Sequence, residues 1–288
     1  MYNYQLATSR NIGWVTKAEQ EQLRNSRVAI AGLGGVGGAH AVTLARLGVG
    51  KFHLSDFDEY EIHNFNRQIG ANMQTIGRPK LDVIREQVLS INPEAEISTF
   101  PEGVNAENVE QFLDGVDLYV DSLDFFVMEA RKTVFRACHR NRIPAITAAP
   151  LGMGCAFLAF TPDSMSFDDY FGFEGLTERD QLIRFLVGLA PTVWQRHYLV
   201  DESTADFDSH KGPSTPMAVD LCAGVAGTNA LKLLLNRGPV VKAPKGFHVD
   251  AYLNRAKVTW RPGGFKNPLQ RAAFLVAKKV LGKEKTKG

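Results

Sequence analysis

Five glycines fall within seven residues, Gly32, Gly34, Gly35, Gly37 and Gly38, directly after the apolar run Val28 to Ala31 and ahead of a helical pattern that begins near Ala39. A short β-branched and small apolar run reads as a buried parallel strand, so the order is strand, turn, helix. In such a turn the first Gly permits the sharp reversal. The middle ones let backbone N–H groups approach a phosphate, and the last lets helix and strand pack closely, with the helix N-terminus favouring negative charge. A second strand, Lys51 to Ser55, delivers Asp56 about twenty residues further on, where an acidic side chain can hydrogen-bond ribose hydroxyls. A dinucleotide and a mononucleotide both fit. A tight turn without a ligand is the plainest alternative, and the spacing to Asp56 weighs against it.

What separates the two nucleotide readings lies downstream. Asn64, Arg67 and Lys80 follow Asp56 in one compact segment. Arg67 offers a planar fork suited to phosphate oxygens, and Lys80, just after Pro79 at a helix start, offers a compact point charge. Asp124, in VDSLDFF, sits past the end of a strand expected over Val116 to Asp121, on the carboxyl edge where open α/β sheets bind ligands. A carboxylate there can hold Mg²⁺. Taken singly, each reads as an ordinary surface charge; their joint placement carries the argument, because hydride transfer needs none of them.

The set GLGGVGG, SDFD, HNFNRQ, GRPK and DSLD resembles the ThiF/MoeB/HesA superfamily that includes ubiquitin-activating enzymes, over roughly residues 8–160. The resemblance implies that Gly32, Gly34, Gly35 and Gly37 line ATP, with Asp58 and Gln68 among its contacts. It further implies that Asp56 holds the ribose, Asn64 and Arg67 orient phosphates, Lys80 bridges them, and Asp124 binds magnesium. Family members also use an Arg from the partner subunit; Arg10, in SRNIGW, falls where that residue would lie, which implies at least a homodimer. The implied reaction is attack of a carboxylate on the α-phosphate of ATP, giving an acyl-adenylate and pyrophosphate. Its expected substrate is the C-terminal carboxylate of a peptide or a small ubiquitin-like or sulfur-carrier protein. Three other readings stand beside it: a dehydratase-like relative acting on a carboxyl group in tRNA, an NAD-dependent oxidoreductase using the same glycines and Asp56, and a non-catalytic nucleotide-binding protein.

The cysteines set this chain apart from better-known relatives. Many carry two CxxC pairs that bind structural zinc, whereas Cys138, Cys155 and Cys222 form none, so no zinc is expected. Ubiquitin-activating enzymes pass the acyl group to a Cys in a crossover loop, yet residues 156–221 contain no cysteine. Cys155 and Cys222 lie in apolar patterns and read as core. The odd count argues against a disulfide scaffold. Net charge of +2 over 288 residues gives no bulk reason to invoke nucleic acid, no apolar run of membrane-spanning length is apparent, and MYNYQLATSRN lacks the apolar core of a signal peptide. Cytoplasm is the expected location.

Repeated βα units predict a Rossmann-like α/β fold. They comprise helices over Lys17 to Asn25, Pro79 to Ile91, near Ala106 to Leu113 and over Phe126 to Asn141, with strands at Glu96 to Phe100 and Pro144 to Thr147. The sheet is doubly wound and mostly parallel, with an antiparallel C-terminal extension from CAFLAFTP, GFHVDAYL and AKVTWRP. One continuous unit is expected: residues 1–162 as the nucleotide-binding part with its N-terminal helical segment, 163–213 as a divergent crossover, and 214–288 as helix, strands and basic tail completing the same domain. Within the crossover, Phe167, Tyr170, Phe171 and Phe173 are either a binding surface or core. His197, Asp201, Glu202, Asp206, Asp208 and His210 match no compact metal motif and read as a solvated acidic loop. From Asn267 onward, Leu269, Ala273, Leu275, Val276, Val280 and Leu281 alternate with Arg271, Lys278, Lys279, Lys283, Lys285 and Lys287. The expectation is that this helix packs its apolar side on its own domain and leaves the lysines in water, with contact to an anionic membrane or acidic partner as the alternative.

Overall fold

The computed structural model describes residues 1–201, 204 and 212–281. Glu202, Asp206, Asp208 and His210 of the acidic loop, and Lys283, Lys285 and Lys287 of the tail, lie outside the described residues.

Eight strands form one mixed sheet. β1 (Arg27–Ala31), β2 (Lys51–Ser55), β3 (Glu96–Phe100), β4 (Leu118–Asp121) and β5 (Ala145–Leu151) run parallel in the order β3-β2-β1-β4-β5. β5 then turns back through Gly152 and Met153 into β6 (Gly154–Phe160), and β7 (Lys245–Asp250) and β8 (Arg255–Trp260) extend the sheet antiparallel. This is the expected doubly wound sheet with its antiparallel extension. The chain leaves β1 toward β2 on one side and reaches β4 on the other, so the carboxyl ends of β1 and β4 flank the switch point where such sheets open a crevice.

Alternation along the strands divides the core in two. Val28, Ile30, Leu118, Val120, Ile146 and Phe157 face one side. There they meet α2 (Lys17–Asn25), which follows the short α1 (Tyr4–Ala7), together with α3 (Gly35–Leu47), α4 (Lys80–Ile91) and α9 (Pro216–Leu234). Ala29, Ala31, Tyr119, Ala145, Ala156 and Leu158 face the other, under α5 (Val109–Phe112), α6 (Met128–Arg140), α7 (Phe167–Phe171) and α8 (Glu178–Leu189). Both boundaries of α2 match expectation because its signals are strong: Thr16 Oγ1 accepts from Glu19 N at 3.1 Å while Glu19 Oε2 accepts from Thr16 N at 2.7 Å.

The Phe167, Tyr170, Phe171 and Phe173 cluster is core rather than surface. All four rings are buried, and Phe135 stacks on Phe167 with centroids 4.2 Å apart. Cys138, Cys155 and Cys222 are buried thiols, and burial pushes Cys222 well above the usual thiol range. Two expectations need correction. α9 is long and apolar enough to cross a membrane, contrary to the reading that no such run exists; it packs against α3, β5 and β6, the place of a core helix. The C-terminal helix, α10 (Pro268–Leu281), buries only Phe274 and Gln270 fully, while Leu269, Leu275, Val276 and Val280 face solvent, so its apolar side is not covered as expected.

α3 also carries a buried histidine. His40 is 1% exposed and neither ring nitrogen has a hydrogen-bond partner among the described residues; desolvation lowers its pKa from 6.5 to about 4. The folded state therefore keeps it neutral while the unfolded chain takes up a proton near pH 6.5. Its stabilising contribution is complete above that pH and is lost on acidification toward pH 4, by about 3 kcal/mol in total. In denaturant melts from pH 7 to 4 the stability of the wild type should fall relative to His40→Leu by up to about 3 kcal/mol, because only the wild type carries this proton-linked loss. Parallel curves would show that His40 does not titrate in this window.

Candidate nucleotide site at the switch point

The glycines divide by what surrounds them. Gly32 has φ +84°, and a Cβ there would strike the Ser122 carbonyl at the end of β4; a Cβ on Gly37 would strike the Gly32 carbonyl. Packing alone forbids side chains at both. Gly34 and Gly35 differ, since a Cβ would sit 3.6 Å from Gln68 Nε2 and 3.7 Å from Val219, ordinary contact distances. Nothing in the protein's own packing forbids a side chain there. α3 begins at Gly35, four residues ahead of the expected start near Ala39, and among the described residues no side chain caps its first turn. Its leading N–H groups are left without a side-chain acceptor, which suits an anion.

Asp56 ties the next strand to this loop. Its Oδ2 accepts from Leu33 N at 2.6 Å and its Oδ1 from Asp58 N at 2.8 Å. Burial raises its pKa, and the two N–H donors and Lys80 oppose that shift. Lys80, the first residue of α4, is 6% exposed and places Nζ 2.9 Å from Asp58 Oδ2, while its N–H donates to the Asp58 carbonyl. Asn64 is buried, with Oδ1 accepting from Glu61 N at 3.0 Å. Gln68 lies beside Gly34 with a buried Oε1 that has no partner among the described residues.

Arg67 is half-buried against Gly35, its Cγ and Nε each 3.9 Å from where a Cβ would stand. Its Nη1 donates to His63 O and to Asn66 Oδ1 at 3.1 and 3.0 Å. Burial lowers its pKa while the Asp124 carboxylate pulls it back up, so the two side chains feel each other across the crevice. Asp124 is exposed, and its Oδ1 accepts from Phe126 N at 3.0 Å. Among the described residues no group of three metal-ligating side chains gathers here or elsewhere. A single carboxylate suits Mg²⁺, which is usually shared with substrate phosphates.

Arg10 is not brought to this set. Its turn, Ser9–Asn11, is fastened to the far end of α3, where Asn11 Nδ2 donates to Leu47 O at 3.1 Å and Tyr4 Oη to Gly48 O at 2.7 Å. α3 has 13 residues, so Arg10 stands about 20 Å from the glycine turn of its own chain.

A family model described as the ThiF family matches residues 8–267. The chain belongs to the ThiF family. Among curated relatives, the tRNA threonylcarbamoyladenosine dehydratase of Bacillus subtilis is 38% identical over 141 residues, 49% of this chain and 55% of that protein. The sulfur carrier protein ThiS adenylyltransferase of Escherichia coli is 32% identical over 143 residues, 50% and 56% of the two. The chain thus spans about half the length of the curated relatives it matches. In structure it is similar to E. coli MccB crystallised with AMPCPP and MccA, at TM-score 0.65 and 21% identity, over 88% of this chain and 70% of that one. This likeness shows the fold.

One feature of this site was missed in the sequence. Arg131, on α6, is 2% exposed and places Nε 2.9 Å from Asp121 Oδ2, also 2% exposed. Its Nη2 donates to Leu123 O and Asp124 O at 2.6 and 3.1 Å, its Nη1 to Val127 O at 3.3 Å, and Phe185 lies 4.7 Å beneath the guanidinium. One side chain therefore shapes the loop that carries Asp124. The legible signal was an Arg among core positions of an amphipathic helix, three residues after the buried Met128. Arg131→Met should destabilise the protein by about 3–5 kcal/mol by stranding buried Asp121. Arg136→Met, which breaks the exposed pair with Asp168, should cost under about 1 kcal/mol. Equal losses in urea melts of the two variants would contradict the assignment.

Proposed function

We propose that this chain binds ATP in the β1–β4 crevice and uses it to adenylate a carboxylate, releasing pyrophosphate. The observation that carries the reading is that the Arg67 side chain lies against Gly35 at the uncapped start of α3, within electrostatic reach of Asp124, in a turn whose Gly34 and Gly35 are not required by the protein's own packing. An oxidoreductase would leave Arg67, Lys80 and Asp124 without work. In the proposed mechanism Asp56 accepts from the ribose, the first turn of α3 faces phosphate oxygens, and Arg67 with Lys80 offsets charge that develops on the departing pyrophosphate. Asp124 would hold Mg²⁺, which supplies further neutralisation of the phosphates. Attack by the carboxylate oxygen forms the P–O bond of the acyl-adenylate as the bond to pyrophosphate breaks, and most of the acceleration comes from in-line positioning and fixed cations. All three cysteines are buried, which supports direct transfer of the acyl group to an external nucleophile. We place the reaction in the cytoplasm.

The substrate favoured is the C-terminal carboxylate of a small carrier protein or peptide, supported by the ThiS adenylyltransferase relative and the MccB likeness. A carboxyl group carried on tRNA is the second reading, supported by the 38% identity to the tRNA threonylcarbamoyladenosine dehydratase. Both share the adenylation step. Calorimetric titration separates them from redox chemistry. Wild type should bind Mg-ATP and not NAD⁺, and Arg67→Ala should leave the fold intact while costing about 3–4 kcal/mol of transition-state stabilisation, on the order of a hundredfold to a thousandfold in pyrophosphate release. NAD⁺ binding without ATP binding would overturn the reading.

We further propose a homodimer in which Arg10 serves the partner's site, as its distance from its own turn requires if it acts at all. Ile62, Phe65, Ile69 and Met73, exposed between β2 and α4, offer an apolar surface for self-association. Arg10→Ala and Arg67→Ala should each be inactive alone. Mixed and allowed to exchange subunits, they should recover about a quarter of wild-type activity, because each mixed dimer contains one intact site. No recovery would place Arg10 outside the reaction or in its own chain's site.

A further inference from the structure

The formal charge of +2 conceals an asymmetry. Residues 238–288 hold twelve Lys and Arg against two Asp and Glu, a net +10, which leaves −8 on residues 1–237. One of those two acids, Asp250, is fully buried. The segment that carries β7, β8 and α10 is therefore strongly cationic.

α10 is held in one orientation against α8. Phe274 and Gln270 point inward, Arg184 lies 4.4 Å over the Phe274 ring, Lys278 Nζ sits 2.5 Å from Asp180 Oδ2, and Arg179 donates to the Leu281 carbonyl at 2.7 Å. Leu269, Val276 and Val280 are 66, 61 and 48% exposed and fall on one stripe of the outer side at helical spacing, with Leu275 beside them at 64%. Lys279 borders the stripe and Arg271 lies one turn before Leu275, and Lys283, Lys285 and Lys287 follow in the sequence.

We propose that α10 docks this protein on an anionic phospholipid surface, its outer stripe entering the headgroup boundary and its cations meeting the lipid phosphates. A nucleic acid would use the cations and leave the aliphatic stripe in water. Four aliphatic side chains on one convex helix fall well short of the ~800 Å² per partner that a stable protein interface buries. A bilayer needs no shape-matched area and uses both features at once. This inference does not depend on the nucleotide site.

The test is co-sedimentation of the full-length protein with vesicles of phosphatidylcholine, with and without phosphatidylglycerol. Binding should require the anionic lipid and weaken as salt rises. Lys279→Gln should reduce affinity about fivefold. Val276→Glu combined with Val280→Glu should abolish pelleting with Tm unchanged, both positions being exposed. No pelleting, equal pelleting on neutral vesicles, or undiminished pelleting of the double Glu variant would overturn the proposal. Loss of a dimer by that variant in size-exclusion chromatography would assign the stripe to a second copy instead.

Discussion

The close approach of two backbones at the crest of the sheet organises everything else in this structure. Gly32 follows β1 and Ser122 follows β4, and no side chain fits between them or between Gly37 and Gly32. This contact brings the first turn of α3 over the carboxyl ends of β1 and β4, and with it a row of backbone donors. Asp56 locks the second strand to the same loop through Leu33 N, and Arg131 fixes the β4 loop from the opposite side through Asp121 and the carbonyls of residues 123 and 124. A larger residue at Gly32 or Gly37 would separate these parts together, so fold and site share one constraint at this point.

Much of this was legible because the signals are local. The spacing from glycine turn to Asp56, the βα rhythm and the capping box at Thr16 and Glu19 each follow from neighbours in sequence. The start of α3 was misplaced because glycine weakens the helical signal, whereas packing against Gly32, Leu33 and Ser122 imposes the helix from Gly35. Arg131 was missed for a different reason: its partners are carbonyls of a loop, which leave no mark on residue type. α10 was misjudged because its period correctly gives an amphipathic helix but cannot say which of two apolar stripes meets the domain. Phe274 won the inner place, and the Leu269 stripe was left outside.

Buried charge at the site follows a single pattern. Lys80 and Arg131 are both nearly inaccessible, and each meets a carboxylate at 2.9 Å. Leaving either cation without its partner would cost several kcal/mol, so the pairs hold local geometry more than they add net stability. The two pairs differ in what they can still do. Arg131 spends its donors on one carboxylate and a set of carbonyls, and is structural. Lys80 faces Asp58, whose side chain is about half exposed, so an incoming phosphate can compete for the ammonium at modest cost. Arg67 keeps its hydrogen bonds on one terminal nitrogen and sits opposite an exposed carboxylate. Position in the pair, rather than residue type, separates the structural cation from the two proposed to meet phosphate.

Charge is also segregated at the scale of the molecule. An acidic body of −8 and a basic end of +10 nearly cancel, so the chain as a whole is close to neutral while its last 51 residues present a strongly positive field. Screening confines such a field to about 8–10 Å at ordinary ionic strength. Partners larger than that distance therefore sense the local patch and not the total. The same segregation sets Arg67 and Lys80 of the candidate site in a body of net −8, so an anionic ligand there would be held by fixed, oriented donors and not by bulk attraction.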